Sequence, residues 1–299
     1  MNTEAWYAYA VVAAGQEAPH RLAILPEAPL AALPAGPVAL LASPVPRALF
    51  EHDSPGSRTA DPDWVAARVQ AHHTVVAAAG PCLPFAFGAL FSGLAPLLDW
   101  AAAREESLAE ALARLGQRAE WSLILREDAA AHAAHLCRTE PGLAALAAQC
   151  AAAGPGTGFL LGRRLEQALP AARAARLANL REELAVVAAS IGLPAQPEPR
   201  PGRLTLLAGE AEIAALRPAL EAWAAVHEGS GVALELSGPW PAYGFARAVL
   251  AETLESPAPW SATRMPPAAI SDLAISALAG QPAGSPAGLQ PGLQAGTPA

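Results

Sequence analysis

Lysine is absent from the 299 residues, and arginine is nowhere concentrated into a basic stripe. The formal net charge is -8 at pH 7, so the chain is acidic overall. Proteins that hold nucleic acid neutralise its phosphates with clustered basic side chains. The charge pattern therefore excludes nucleic acid as an expected partner.

Cysteine is scarce, with three residues at Cys82, Cys137 and Cys150 and no CxxC spacing among them. An odd number without that spacing argues against a disulfide framework and against a cysteine zinc site. The first residues, Met1 to Glu4, also lack the positive segment and apolar run of a signal peptide. We therefore expect a protein of the reducing cytoplasm.

Long apolar runs are missing as well. Between Arg68 and Asp99 no residue is charged, but glycine and proline divide the stretch into pieces shorter than the roughly 20 residues that cross a bilayer. The dividing residues are Gly80, Pro81, Pro84, Gly88, Gly93 and Pro96. We interpret the stretch as a buried core and expect no membrane partner.

The usual signatures of catalysis and cofactor binding are absent too. No Gly-x-Ser-x-Gly elbow occurs. The glycine-rich string at residues 154–158 follows an alanine-rich helix and lacks the Lys-Ser/Thr ending of a phosphate loop, which favours a helix-breaking turn. His132 and His135 are one helical turn apart, but without a third ligand we expect them to be surface residues. We expect no enzyme activity, no cofactor and no metal, although a site assembled from distant residues stays open.

What the chain does contain is an interleaving of alternating apolar patterns, typical of strands, with amphipathic helices, which predicts an α+β fold. In the first part, strands are predicted near residues 6–11, 38–43, 83–87 and 120–126, and helices over 61–76 and 94–115. This order predicts a ferredoxin-like sheet with helices on one side, in an N-terminal domain over residues 1–128. His72 falls on the apolar face of the first helix, so we interpret it as a core histidine.

The second part begins with alanine-rich helix, and an apolar repeat over residues 177–191 predicts packing along another helix or a partner. Pro170 is expected to kink or divide this long helix. A proline-rich linker at 192–202 leads to a strand, a helix and a second strand. These features predict a C-terminal domain over 129–258, helical first and then a small α+β unit. Residues 259–299 are rich in Pro, Gly and Ala and are predicted to be a disordered tail.

The most unusual stretch is 232–245. Alternation over 232–237 predicts a half-buried strand, and prolines on both sides of Trp240 stiffen the corner that follows it. Trp240, Tyr243 and Phe245 could form a core plug or a rigid surface that loses little entropy when it binds a protein. We name these three as candidate protein-binding residues and expect at least one of Tyr243 and Phe245 to lie near the surface.

The residues from Gly238 to Phe245 resemble the Gly-Pro-Trp-Pro-Pro-Tyr-Ser-Phe signature of the gas vesicle F/L family (GvpF/GvpL), with departures at Ala242 and Gly244. Further segments are similar to successive blocks of that family and occur in its order: Tyr7-Ala8-Tyr9, Asp63-Trp64 with His72 and Val75-Val76, residues 83–88, Arg118-Ala119-Glu120-Trp121 and Gly158-Phe159-Leu160. The family's lysine shortly after Glu-Trp is missing from residues 122–125.

The resemblance implies a non-enzymatic accessory protein of gas vesicles, made of two α+β domains, that takes part in assembly of the vesicle shell. It implies the main shell subunit and other accessory proteins as partners, and a cytoplasmic location at the gas vesicle. The residues by themselves leave two other classes open: a small-ligand regulatory protein on a ferredoxin-like sheet, and an enzyme with a dispersed site.

Overall fold

The computed structural model describes residues 4–19, 22–50, 56–198 and 202–254. Within these residues, helices pack against two antiparallel sheets, so the predicted α+β class is confirmed. The predicted tail at 259–299 lies outside the described residues.

The first sheet is built from the beginning of the chain. Its strands are β1 (Glu4–Ala13), β2 (Ala31–Ala35), β3 (Val38–Pro46), β4 (Leu83–Pro84) and β5 (Leu90–Phe91). They follow the order β2-β3-β1-β4, and β5 also pairs with β1. A register shift between Ala8 and Ala10 interrupts the alternation of β1. As a result Tyr9 and Ala10 both pack on one face of the sheet, whereas Ala8 and Val11 pack on the other.

Helices cover both faces of this sheet, and not one face as predicted. After the short helix α1 (Arg47–Phe50), α2 (Pro62–Ala78) packs on the face of Tyr7 and Tyr9. The opposite face is covered by α3 (Leu94–Ala102) and α4 (Glu105–Leu115). These two replace the single helix predicted over 94–115, because Ala103 and Arg104 interrupt it.

The second sheet contains β6 (Ala119–Glu127), β7 (Gln196–Pro197), β8 (Arg203–Ala208) and β9 (Val232–Trp240), in the order β7-β8-β6-β9. The prediction that residues 120–126 complete the first sheet is wrong. β6 lies at the centre of the second sheet, where Leu123 pairs with Leu204 on one side and Leu236 on the other. The apolar face of β6 packs in the same core as residues of β8 and β9, which come much later in the chain.

The helices of the second part are α5 (Ala129–Thr139), α6 (Pro141–Ala152), α7 (Pro155–Ala189) and α8 (Glu210–Val226). Pro170 does not divide α7. The helix break predicted at the glycine-rich string lies at its start: α6 ends at Ala152, Gly154 is the N-cap of α7, and the helix resumes at Pro155. The later half of α7 packs with α8 on the core of the second sheet, as its apolar repeat predicts.

The last helix among the described residues, α9 (Tyr243–Leu254), follows β9 and returns to the first core. Its buried residues Ala246, Val249 and Leu250 pack in the cluster that holds Leu97 of α3 and Leu108 of α4. The chain therefore passes from the second sheet into the first core at the predicted corner. The domain limits 1–128 and 129–258 stay a prediction.

Candidate protein-binding site

β9 carries the predicted aromatic corner on an edge of the second sheet. Its pairing with β6 extends to Trp240, which lies opposite Glu120 and three residues beyond the predicted strand end at Ser237. The peptide bond between Gly238 and Pro239 is cis. An edge strand is where a sheet tolerates proline. The change of direction therefore comes after Trp240, not before it.

Gly238 lets this strand lie close against the ring of Trp121. Its φ of 144° is one that residues with side chains rarely adopt, and a Cβ there would lie 2.8 Å from the ring. The Trp121 ring is itself fixed, since it is buried and its Nε1 donates to the carbonyl of Ala208 at 3.2 Å. A fixed aromatic ring thus supports the backbone just before the corner.

Glu120 holds the other side of the corner. Its carboxylate accepts the backbone N–H of Phe245 at 2.6 Å and also that of Gly244, both in the first turn of α9. A Cβ on Gly244 would lie 2.8 Å from Oε1 of Glu120, so glycine permits the close approach. Burial raises the pKa of the Glu120 carboxyl, while the two N–H donors act in the opposite direction. Glu120 therefore joins β6 to the start of α9.

Tyr243 and Phe245 anchor α9 on different cores. Tyr243 packs against the cluster under α2, with its ring 6.3 Å from that of His72, and burial raises the pKa of its hydroxyl. Phe245 packs against the opposite cluster, and the guanidinium of Arg114 lies 5.7 Å from its ring centre. Both side chains are half-buried. The expectation that at least one of them joins a binding surface stays a prediction.

Trp240 is placed differently, since it lines a cleft between the two sheets with a volume of about 600 Å³. Its Nε1 donates to Oγ of Ser237 at 3.2 Å, and its ring centre lies 6.3 Å from that of His73 on α2. The side chain is half-buried. It is therefore the aromatic of the corner that an incoming group in the cleft would meet.

The rest of the cleft is lined mainly by small and apolar residues from four segments. These are residues 76–82 at the end of α2, 115–121 before and within β6, 208–211 between β8 and α8, and 239–242 of the corner. Of its charged residues, Arg118 is paired with Glu212 at 3.2 Å. The cleft thus presents an apolar surface with polar groups confined to a few positions.

His72 forms part of the support under the corner. It is buried, its Nδ1 accepts from the hydroxyl of Tyr7 at 2.9 Å, and its Nε2 donates to the carbonyl of Phe85 at 3.2 Å. The N–H of Gly88 donates in turn to the Tyr7 hydroxyl at 3.1 Å. Burial lowers the pKa of His72 to about 3, so the ring is neutral and both nitrogens are satisfied. The interpretation of His72 as a core histidine is confirmed.

The family model described as gas vesicle synthesis protein GvpL/GvpF matches residues 5–247, which include both sheets and the corner. The chain belongs to this family. The match covers the segments on which the resemblance was based, from the first strand to the aromatic corner.

Individual relatives agree with the GvpL/GvpF assignment. Gas vesicle protein L2 of Halobacterium salinarum is 29% identical over 199 residues, which cover 61% of this chain and 70% of the relative. The crystal structure of GvpF from Anabaena sp. PCC7120 superimposes with a TM-score of 0.59 at 12% identity, covering 81% of this chain and 98% of the other. GvpF from Microcystis aeruginosa gives a TM-score of 0.53 at 14% identity, with the same coverage. These two structures show that the fold is shared.

The histidine pair 132 and 135 differs from its prediction. His132 is buried, not on the surface, and its Nδ1 donates to Glu127 at 2.6 Å. Among the described residues, no group of three or more His, Cys, Asp or Glu side chains could hold a metal ion. In the same part of the chain, no helix is long and apolar enough to cross a membrane.

Sequence reasoning identified the aromatics of this GvpL/GvpF corner but not the residues that hold it. Glu120 was recognised only as part of a family-like block, although it contacts the other block 125 positions later. A sequence signal did exist, since both blocks belong to the resemblance and Gly244 removes the side chain that would obstruct the carboxylate. Of the two α2 residues that line the cleft, Val76 was recognised only as part of a family-like block, and Ala77 gave no signal, because it is an ordinary helical alanine.

Proposed function

We propose that this GvpL/GvpF-family protein is a non-enzymatic accessory protein that takes part in assembly of the gas vesicle shell, in the cytoplasm at the vesicle. It binds the main shell subunit and other accessory proteins. The binding surface is the corner of Trp240, Tyr243 and Phe245, with Trp240 making contact in the cleft and the other two holding the corner in place.

The observation that carries this proposal is the rigid mounting of Trp240 beside an apolar cleft. Trp121, Glu120 and the two anchoring aromatics restrain the backbone on both sides of it. A rigid aromatic loses little conformational entropy when it becomes buried, which is why tryptophan is enriched among the residues that dominate protein interfaces.

A small-ligand site is the less supported alternative. Such sites combine an apolar pocket with a few polar groups that converge on the ligand. In this cleft Arg118 is paired with Glu212, and Nε1 of Trp121 is used by a backbone carbonyl. The apolar lining is better suited to an apolar segment of a protein partner.

Blocking the cleft tests the proposal without disturbing the core. Ala77 lines the cleft and is exposed, whereas Ala78, its neighbour on α2, is exposed but does not line it. Ala77→Arg should reduce co-purification of the co-expressed main shell subunit by at least about tenfold, while Ala78→Arg should leave it unchanged. Both variants should melt like the parent, because neither position is packed.

Substitutions at the corner separate contact from support. Trp240→Ala should reduce shell-subunit binding by more than its loss of stability explains, whereas Tyr243→Ala and Phe245→Ala should reduce binding only in proportion to lost stability. If Ala77→Arg binds the shell subunit as well as Ala78→Arg does, the cleft is not the binding surface and the proposal fails.

A further inference from the structure

A second surface stands apart from the corner, on the hairpin formed by α6 and the first turns of α7. None of residues 141–162 carries a charge. Leu143 is the buried residue of α6, and α7 has its buried residues from Leu180 onward. The two helices lie close together, since a Cβ on Gly158 would be 3.6 Å from the carbonyl oxygen of Cys150. The hairpin is thus a paired, uncharged element with little of it packed on the cores.

Two large apolar side chains are exposed beside each other on this hairpin. Phe159 and Leu160 are each 69% exposed. Neighbouring residues of a helix point in different directions, but residues four apart share a face. Phe159 therefore shares its face with Arg163, and Leu160 shares its face with Arg164. We call these four residues the hairpin patch.

The arginines of the hairpin patch are available for a partner. Arg163 contacts Glu166 at 3.4 Å, with both side chains more than 60% exposed, so this pair is weak. Arg164 is exposed and forms no ion pair in the part of the chain that the structure describes. Each exposed apolar group is thus bordered, one turn later, by a positive charge.

We propose that the hairpin patch binds an amphipathic helix of a protein partner, one whose apolar face is bordered by acidic side chains. Phe159 and Leu160 are then covered by the apolar face, and the acidic border meets Arg163 and Arg164. An amphipathic helix carries an apolar stripe with charged residues beside it, so one element can cover the apolar pair and meet both arginines, and the flanking charges fix its orientation. This surface is separate from the cleft, so the inference does not depend on the proposed function.

An anionic membrane and a second copy of the chain each fit the charges of the hairpin patch less well than an acidic helix does. An anionic membrane attracts segments with about four to eight clustered basic residues, whereas the hairpin patch has two and the whole chain carries a net charge of -8. A second copy joined through the same patch would bring the arginines of both copies to one symmetric interface, where like charges repel.

Two synthetic peptides test whether the hairpin patch prefers an amphipathic helix with an acidic border. Each is an amphipathic helix of about 18 residues with leucines on one face, bordered by glutamates in the first peptide and by lysines in the second. We expect fluorescence anisotropy to show the full chain binding the glutamate peptide at least about tenfold more tightly than the lysine peptide. The double change Phe159→Ser with Leu160→Ser should weaken that binding at least about tenfold, and Arg163→Glu with Arg164→Glu should reverse the preference.

Matched controls keep the test decisive. Val226 on α8 is 79% exposed, and Val226→Ser should bind both peptides as the parent does. All variants should melt like the parent, because the substituted side chains are exposed. Equal binding of the two peptides, or binding unaffected by the variants, overturns the proposal. Tighter binding to phosphatidylglycerol vesicles than to the glutamate peptide, or a dimer in sedimentation that Phe159→Ser abolishes, would assign the patch to a lipid surface or to a second copy instead.

Discussion

The two ends of strand β6 hold the same type of residue in opposite electrostatic settings. Glu120, near the start, meets the backbone N–H groups of Gly244 and Phe245, and burial raises the pKa of its carboxyl. Glu127, at the end, meets charged and titratable side chains instead. Both glutamates join β6 to a helix, but one does so with neutral donors and the other with an ion pair.

The Glu127 end is the more strongly charged. Its carboxylate accepts two hydrogen bonds from the guanidinium of Arg173, at 2.7 and 2.9 Å, and one from Nδ1 of His132 at 2.6 Å. The Arg173 hydrogen bonds, helped by His132, lower the pKa of Glu127 from its ordinary 4.5 to about 2. This end thus favours the carboxylate, whereas the partial burial of Glu120 disfavours it.

The pKa of each glutamate on β6 therefore depends on which groups from later in the chain pack against it. Where α5 and α7 bring a histidine and an arginine, the charge stabilises the fold. Where the corner brings two N–H donors to a half-buried carboxylate, burial raises its pKa and the charged form is less favoured. The two ends should therefore respond to mutation and to pH with opposite sign.

The largest expected loss of stability follows from changing Gly231, whose backbone lies against the backbone of His132. Gly231 has a φ of +80°, and a Cβ there would overlap the backbone nitrogen of His132. Its carbonyl also accepts the N–H of Asp128, the N-cap of α5. Gly231→Ala should therefore displace the start of α5 and lower the free energy of unfolding by about 4 kcal/mol in urea titration.

Gly229→Ala is the control for backbone strain alone. Gly229 has a similar φ of +72°, but no atom lies within 4 Å of the added Cβ. It should cost about 1–2 kcal/mol. Equal losses in the two variants would show that the contact with His132 contributes nothing beyond the strain.

Neutralising the Glu127 end should have the next largest effect. Glu127→Gln removes the charge that faces Arg173 and His132, and should cost about 2 kcal/mol at pH 7, because the pair is largely but not fully shielded from water. The lowered pKa means that this stabilisation is present above about pH 4.5 and is lost as the pH falls towards 2. The difference between parent and variant should therefore shrink in urea titrations at pH 3.

Glu235→Gln is the matched control, since Glu235 pairs with Arg126 on the surface, with side chains 43% and 59% exposed. Exposed pairs contribute less than about 1 kcal/mol. A loss for Glu127→Gln no larger than that of Glu235→Gln would mean that the Glu127 end is an ordinary surface pair.

Much of the local structure followed from the sequence, because its causes are local. Alternation predicted β1 and the main part of β9, an apolar run bounded by prolines predicted β3, and β8 was expected as a strand after the linker. The helix predicted over 61–76 is α2, whose N-cap Asp61 accepts the N–H of Trp64. The apolar face of α2 also predicted the burial of His72. Each of these depends on residues a few positions apart.

The long-range pairings could not be predicted in this way. From its own sequence, a strand with one apolar face, such as β6, could pair in either sheet. Only its pairing with β8 and β9, which come later in the chain, places it in the second sheet. The register shift after Ala8 leaves no mark in the alternation of apolar residues. The aromatics of the candidate site stood out by composition, but Glu120 did not, because its partners are backbone groups about 125 positions away.

The smallest expected effect, and the one that tests the comparison most directly, is that of Glu120→Gln. Glutamine keeps an oxygen that can accept from Phe245 and removes a charge that burial disfavours, so the loss at pH 7 should be less than about 1 kcal/mol. Because the folded-state pKa of Glu120 is raised, its contribution to stability is fully present below about pH 4.5 and is lost as the pH rises through the folded value. The parent should therefore exceed the variant by more at pH 4 than at pH 7, the reverse of Glu127→Gln. Urea titrations of the parent and both variants at pH 4 and pH 7 measure this difference. If the stability lost in Glu120→Gln and in Glu127→Gln changes with pH in the same direction, the two ends of β6 are not electrostatic opposites. The start of α9 then stabilises the carboxylate of Glu120 more than burial destabilises it.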